Sequence, residues 1–454
     1  MRSPSNDPMT RDEKRAGASL AAIFGLRMLG LFLILPVFAE HAKHIPGGDS
    51  KTLIGLAMGA YGLTQAIFQI PFGMASDRWG RKPVIIVGLL FFAFGSGVAA
   101  LADDIWTVIF GRILQGAGAI SAAVTALAAD LTREQHRTKV MAMIGSSIGL
   151  VFAASLIGAP ALYSAVGMAG IFWLTAFLAL GAIGLVTHVV PPAPPAQSGP
   201  KVPFREVLFD GQLMRLNFGI FALHLIQMAM FVVVPGLLIS TGDLPLDRHW
   251  QVYLGTMLAS LVPMVPAIIY AEKRAKMKPV FLAGVALLIL AEGGSWLGLA
   301  SFPVIVAMMW VFFLAFNILE ASLPSLISRV APARAKGAAL GVYNTSQALG
   351  LFAGGAVGGL LAQHAGPGGV FAFGAAVAGL WLLVAFSMRP PPVVVSREVE
   401  LGNDMDPAAA KEALALLPGV REVIVAPEKR MAYLRVNLEQ WDERRARQLV
   451  GGKA

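Results

Sequence analysis

Gly73-Met74-Ala75-Ser76-Asp77-Arg78-Trp79-Gly80-Arg81-Lys82 is a charged ten-residue stretch lying between two long apolar ones. Gly73 and Gly80 permit close backbone approach. Asp77, Arg78, Arg81 and Lys82 bring opposite charges into what reads as a tight turn. A fainter copy follows later in the chain: Arg81-Lys82-Pro83-Val84 matches Met277-Lys278-Pro279-Val280 at an offset of 196, and Arg274 falls on Arg78. Two more matches keep the order. Phe24-x-Leu26-Arg27 corresponds to Phe221-x-Leu223-His224, and Arg112-Ile113-Leu114-Gln115 to Asn317-Ile318-Leu319-Glu320. The chain therefore reads as two related halves.

Composition says what solvates them. Of 454 residues, 56% are hydrophobic and 14% charged, against roughly 25% charged in a soluble protein. A helix needs ~20 apolar residues to cross a bilayer of ~30 Å. Twelve stretches qualify, near 18–39, 52–73, 83–102, 105–129, 139–161, 167–189, 215–238, 250–271, 279–300, 302–324, 337–361 and 368–388. The N-terminus is polar through Arg15 and the first stretch lacks a small-residue cleavage site, so no cleaved signal peptide is expected. Without cysteine the chain has no disulfide, thiolate metal site or cysteine nucleophile.

The net charge of +9 could suggest nucleic-acid binding, but its distribution argues against that. With loops assigned alternately to two sides, twenty Lys and Arg residues fall on the side of the N-terminus. Only Lys43, Lys51 and Arg248 fall on the other. That asymmetry follows the positive-inside rule and places both termini in the cytoplasm. The lipid bilayer is the expected partner, and nucleic acid is not.

The expected organisation is all-α in the membrane, with twelve transmembrane helices in two pseudo-symmetric six-helix bundles. A small α+β domain follows. A cytoplasmic N-terminus (1–17) precedes the first bundle (18–189). A Pro-rich cytoplasmic linker (190–214) leads to the second bundle (215–388), and a short linker (389–396) to a tail domain (397–454). Paired bundles of this kind enclose a cavity and suit alternating access.

Charged residues inside spans are functional candidates, since lipid makes them costly. Arg27, Arg112, Glu292 and Glu320 lie within spans, as does His224, a residue able to relay protons near neutrality. Glu320 ranks above Glu292 because it occupies the repeat position of Gln115. Arg27 could instead snorkel to the surface, Arg112 could belong to a structural ion pair, and Glu320 could pair with Asn317 or Tyr343. Tyr61, Gln65 and Gln69 share one helix face. With Gln115, Gln227, Asn317, Asn344 and Gln347 they form the candidate substrate cavity, although helix–helix contacts explain such stripes equally well. Gly350, Gly354, Gly355, Gly358 and Gly359 read as close-packing positions.

In the tail, 397–401 alternates like a strand. Asp406 and Pro407 start a helix through about Leu417, which Gly419 closes. Strands are expected at 420–425 and 431–436, with a turn near Pro427–Lys429, and a second helix at 439–450. This βαββα order approximates a ferredoxin-like domain whose last strand is missing or unrecognised. Leu416-Leu417-Pro418-Gly419-Val420 resembles the helix end of heavy-metal-associated domains, but 402–406 has no cysteine to bind metal.

The ten-residue stretch, its offset copy and Arg112-x-x-Gln115-Gly116 together resemble the major facilitator superfamily of secondary transporters. The Cys-less tail, Arg27-Met28-Leu29-Gly30-Leu31-Phe32 and Phe316 to Glu320 resemble its YajR-type efflux branch. The resemblance implies that the stretch is a conformational latch locking the outward-facing state. Its Asp77 would face the eleventh helix and its Arg81 would bridge to Asp130. It also implies that Arg112 influences proton transfer. The fifth span departs from the antiporter pattern, because Ala159 interrupts the expected Gly-Pro pair.

The expected function is a secondary transporter rather than an enzyme: a proton-coupled antiporter exporting small molecules across the bacterial inner membrane, likewise by resemblance. Proton-coupled uptake of a polar metabolite and a transporter-like sensor signalling through its tail are the alternatives. The proton gradient is the expected energy source and no cofactor or metal is expected. The tail is expected to contact cytoplasmic loops or a protein partner, and the chain to be monomeric.

Overall fold

The computed structural model describes residues 9–192, 207–331, 336–390, 394–402, 405–426, 430–437 and 440–451. Most of the Pro-rich linker, Asn403–Asp404 and the 427–429 turn lie outside the described residues, as do Lys201, Arg205 and Arg334.

Among the described residues eleven helical stretches are long and apolar enough to cross a membrane. The first half contains α1 (Arg11–Phe32), the short α2 (Phe38–His41), α3 (Lys51–Trp79), α4 (Arg81–Ala100), α5 (Ile105–Ala117), α6 (Ser121–Asp130) and α7 (Glu134–Gly184). The second contains α8 (Gly211–Gly242), α9 (His249–Lys273), α10 (Met277–Leu297), α11 (Phe302–Val330), α12 (Lys336–His364) and α13 (Gly366–Phe386).

Four boundaries differ from the sequence reading. α1 begins at Arg11 rather than near 18. Thr10 accepts from the Glu13 amide while the Glu13 carboxylate accepts from the Thr10 amide, a reciprocal cap that starts the helix inside the expected tail. The expected fourth span is broken into α5 and α6 at Gly118–Ile120. The fifth and sixth spans are two helices that follow one another directly within α7 and meet at a kink at Gly167 (φ 68°, ψ −177°), with the expected 162–166 connection itself helical. At ~1.5 Å per residue α7 is more than twice as long as a bilayer core is thick.

The fourth difference concerns the ten-residue stretch. α3 runs to Trp79 and α4 starts at Arg81, so Gly80 alone (φ 94°) makes the corner. Only glycine adopts that backbone cheaply. Asp77 therefore sits in the last turn of α3, not at a helix N-terminus, and the dipole there does not favour its charge.

The halves meet along α3 and α12. A Cβ added to Gly55 would lie 2.1 Å from the Gly355 carbonyl oxygen, and one added to Gly355 2.3 Å from that of Gly55, so backbone touches backbone. Gly350 and Gly354 turn the other way, onto Phe221 and Leu225 of α8. The glycines of α12 thus pack this helix between α3 and α8. At the end of α3 remote from Asp77, the Lys51 amide donates to Gln363 Oε1 (2.7 Å) and its ammonium to the Ala362 carbonyl (3.3 Å). We refer to this end as the far face and to the end carrying Asp77 as the motif face. On the far face Glu40, paired with Lys43 at 2.7 Å, lies against Gly236 of α8. The far face is shut across the two halves.

The tail holds β1 (Val394–Glu400), α14 (Pro407–Ala415), β2 (Val420–Ala426), β3 (Met431–Asn437) and α15 (Glu443–Leu449), in the expected βαββα order. β3 is central and antiparallel to both neighbours, giving the sheet order β1-β3-β2. Asp406 caps α14 by accepting from the Ala409 amide at 3.0 Å. Val399, Leu414, Leu434 and Val436 anchor a separate small core.

Candidate functional site

At the motif face Arg81 organises the corner. Its Nε donates to Asp130 Oδ2 at 3.0 Å and its Nη1 to Ser76 Oγ at 2.8 Å, and it pairs with Asp77. The bridge from Arg81 to the acid ending the fourth span is thus in place. Asp77 is turned back onto Arg81, with its side chain 55% exposed, rather than directed to α12. Arg78 is exposed, and Gly73 lies beside Ala122 of α6. Lys82 does not reach between the halves. Its ammonium donates to the Val190 carbonyl at 2.6 Å, within its own bundle. The Ser76 hydroxyl, which also donates to the Gly73 carbonyl, is a member of this corner that the charge pattern does not reveal.

Deeper in the first half, two guanidiniums converge on one ring. Arg27 and Arg112 are 2% and 0% exposed, and their guanidinium carbons lie 5.6 and 5.0 Å from the centroid of Tyr61, itself 0% exposed. Burial excludes snorkelling for Arg27. Arg27 Nη1 donates to Ser121 Oγ at 2.8 Å, at the start of α6. Arg112 Nη1 donates to Gln115 Oε1 at 2.7 Å, and Gln115 Nε2 donates to Ser96 Oγ at 2.7 Å. The Arg-x-x-Gln-Gly spacing is thereby explained: Gln115 grips the arginine one turn away. Gly116 lets α5 approach α3, since a Cβ there would lie 2.1 Å from the Tyr61 carbonyl oxygen.

That support is incomplete. Nε and Nη2 of both arginines have no hydrogen-bond partner, nor do Tyr61 Oη, Gln65 Oε1 and both amide atoms of Gln69. No carboxylate among the described residues pairs with either guanidinium. Removing an ion from water costs several kcal/mol even after relaxation. A desolvated ring face offsets only about 2 kcal/mol, so the ring does not meet the cost.

The second half gathers a different set. His224, buried on α8, donates from Nδ1 to the Ile220 carbonyl at 3.2 Å, which leaves Nε2 to accept from the Gln347 amide at 2.8 Å. Both ring nitrogens are occupied and the ring is neutral. Glu320 Oε2 lies 3.9 Å from His224 Nε2, beyond hydrogen-bond distance, has no partner, and belongs to a side chain 28% exposed. Asn317, one turn earlier, donates instead to Ser260 Oγ at 3.0 Å and so ties α11 to α9. Gln227 is buried with neither amide atom satisfied, and Asn344 is half-buried. Glu292 does not join this group. It lies between α10 and α13, against Gly374.

A pair in the first half, Glu13 buried and Arg133 exposed, escapes the charge pattern. Glu13 accepts from Arg133 Nε at 2.9 Å, from its Nη2 at 2.9 Å and from its backbone amide at 3.0 Å. This fork ties the start of α1 to the loop after α6. The spacing Thr10-x-x-Glu13 was the available signal, and it marked a helix start rather than an ion pair.

Two repeated bundles, an α3–α12 seam and charges sunk between helices are features of a carrier. A model of the family described as the Major Facilitator Superfamily matches residues 17–354 and 273–436. The chain belongs to the Major Facilitator Superfamily. It is 47% identical over 438 residues to the inner membrane transport protein YajR of Escherichia coli K12, covering 94% of this chain and 95% of that one. It is 25% identical to the multidrug resistance protein MdtH of Aeromonas salmonicida, over 79% of this chain and 90% of that protein. In fold it is similar to the human organic anion transporter MFSD10, with a TM-score of 0.64 at 18% identity, covering 83% of this chain and all of that one. The superfamily member is a membrane transporter and not an enzyme.

Proposed function

We propose that this transporter is a proton-coupled antiporter that exports small molecules across the bacterial inner membrane by alternating access. In this reading α7 supplies two spans, giving twelve in two six-helix bundles, and the motif face with both termini is cytoplasmic. The sheet order β1-β3-β2 with α14 and α15 supports a ferredoxin-like tail, with three strands among the described residues. The names of the E. coli and Aeromonas relatives support location and direction.

The observation that carries the proton coupling is Glu320: a largely buried carboxyl whose Oε2 has no hydrogen-bond partner, beside a neutral His224 that Gln347 fixes in place. A proton entering from the periplasm adds to a Glu320 oxygen and removes a charge from the cavity. When the bundles open to the cytoplasm the proton leaves to water and the carboxylate is restored, ready for the next proton. The corner at the motif face acts as a latch for the opposite state. With the far face shut, Asp77 falls back on Arg81.

In inverted vesicles, substrate movement dissipates an inside-acid gradient in the native protein. Glu320→Gln abolishes that dissipation and spares energy-independent exchange. Normal pH-gradient coupling in Glu320→Gln would refute the assignment. Substrate-driven alkalinisation in the opposite sense would turn the reading to proton-coupled uptake.

A further inference from the structure

We propose that the transported molecule is an organic oxyanion whose carboxylate or phosphate group seats on Arg27 and Arg112 beside Tyr61. The proposal rests on the carrier reading above and deepens it. Four observations carry it. Two fully buried guanidiniums face one ring, and each has two nitrogens without a partner. Their hydrogen-bond partners, the Ser121 hydroxyl and the Gln115 amide oxygen, are neutral, and no carboxylate among the described residues compensates the positive charge. The break at Gly118–Ile120 restarts the span as ten-residue α6 at Ser121, the residue Arg27 grips, and a helix N-terminus adds positive potential there. Tyr61 Oη is a free hydroxyl at the same place, and the amides of Gln65 and Gln69 continue along its helix face with unsatisfied atoms.

Guanidinium forks match carboxylate and phosphate oxygens equally well. A lipophilic cation in this half would meet two like charges.

The test uses the full-length protein in nanodiscs of neutral lipid. Thermal midpoints are measured against benzoate, succinate, phenyl phosphate, inorganic phosphate and tetraphenylphosphonium. Counterflow of the same compounds is measured in proteoliposomes. An organic oxyanion is expected to raise the midpoint saturably and to exchange, with carboxylate and phosphate arms telling the two head groups apart. Arg27→Gln and Arg112→Gln are expected to weaken its affinity at least tenfold while raising the midpoint of the empty protein, because an unpaired buried charge is gone. A merely structural role would lower that midpoint instead. Arg27→Lys and Arg112→Lys keep the charge and lose the fork, so a folded variant remains available. Stabilisation by inorganic phosphate alone, or by tetraphenylphosphonium equally in native protein and Arg27→Gln, overturns the proposal. Tetraphenylphosphonium counterflow without any oxyanion effect leaves the carrier reading standing while the oxyanion falls. Oxyanion binding without exchange of any solute defeats the carrier reading instead.

Discussion

Lys82 and Lys278, at equivalent places in the two halves, make the same bond. Lys82 donates to the Val190 carbonyl at 2.6 Å, and Lys278 to the Met388 carbonyl at 2.5 Å and the Phe386 carbonyl at 2.9 Å. Each ammonium at the start of a half's third span caps the frayed end of its last one, where carbonyls lack helical partners. Each bundle is thereby strapped to itself. Lys82→Met and Lys278→Met are each expected to cost about 1.5 kcal/mol, the low end for a charged hydrogen bond, because both ammoniums are half-exposed. Thermal melts in detergent check this, and equal losses in the two variants would confirm that the repeat extends to its bonds.

Asp77→Asn is expected to insert normally and to transport more slowly. The Arg81–Asp130 bond survives it, so the present state keeps its corner, whereas the state that needs the aspartate loses its latch. Initial rates per correctly inserted molecule are the measurement. Full activity would leave the motif with topology alone.

Lys51 and Gln363 touch across the far face, and the sequence has no native cysteine to remove. The double variant Lys51→Cys/Gln363→Cys is expected to cross-link under oxidation and to stop transport, with recovery on reduction. Persistent transport in the cross-linked protein would show that this face does not open.

Glycine substitutions separate the seam from the rest of the bundle. Gly355→Ala drives a methyl into the Gly55 carbonyl and is expected to cost about 1–3 kcal/mol, as overpacking does. Gly145→Ala meets nothing within 4 Å and lies in α7, so it is expected to be neutral or to gain up to about 1 kcal/mol. Paired thermal melts decide between these signs.

His41, between the first two spans, accounts for one pH dependence. Its Nδ1 lies 3.0 Å from the Tyr163 hydroxyl, and burial, with His44 nearby, holds its pKa below the usual histidine range. Below pH ~6.5 the unfolded chain therefore binds a proton that the native state resists. Its contribution to stability is intact above that value and falls with the pH. His41→Phe is expected to flatten the decline of the melting midpoint between pH 7.5 and 5, and parallel slopes would remove His41 as the cause.

Much of this was legible in the chain. Apolar length gave the spans, and the 196-residue offset foretold Lys82 and Lys278. Asp406-Pro407 foretold the tail's first helix, since capping chemistry is local. What remained hidden depends on geometry that periodicity does not encode. The ten residues at 73–82 look like a loop because they are charged, yet charge does not end a helix outside lipid, and only Gly80 breaks this one. Glu292 and Glu320 look alike as acids in spans. Their separation depends on which helix face turns inward, and glycine-rich sequences on all sides blur that signal. His224 and Gln347 are 123 residues apart, and nothing local links them.

The α3–α12 seam carries a thermodynamic consequence. Where main chains meet through glycine, no rotamers freeze on contact and few are released on parting. On the alternating-access reading, shutting that seam exacts little side-chain disorder, which removes one term that would hold the two extreme shapes apart in energy. A cargo then needs only modest preference for one shape to tip the balance, since ~1.4 kcal/mol already changes a population ratio tenfold.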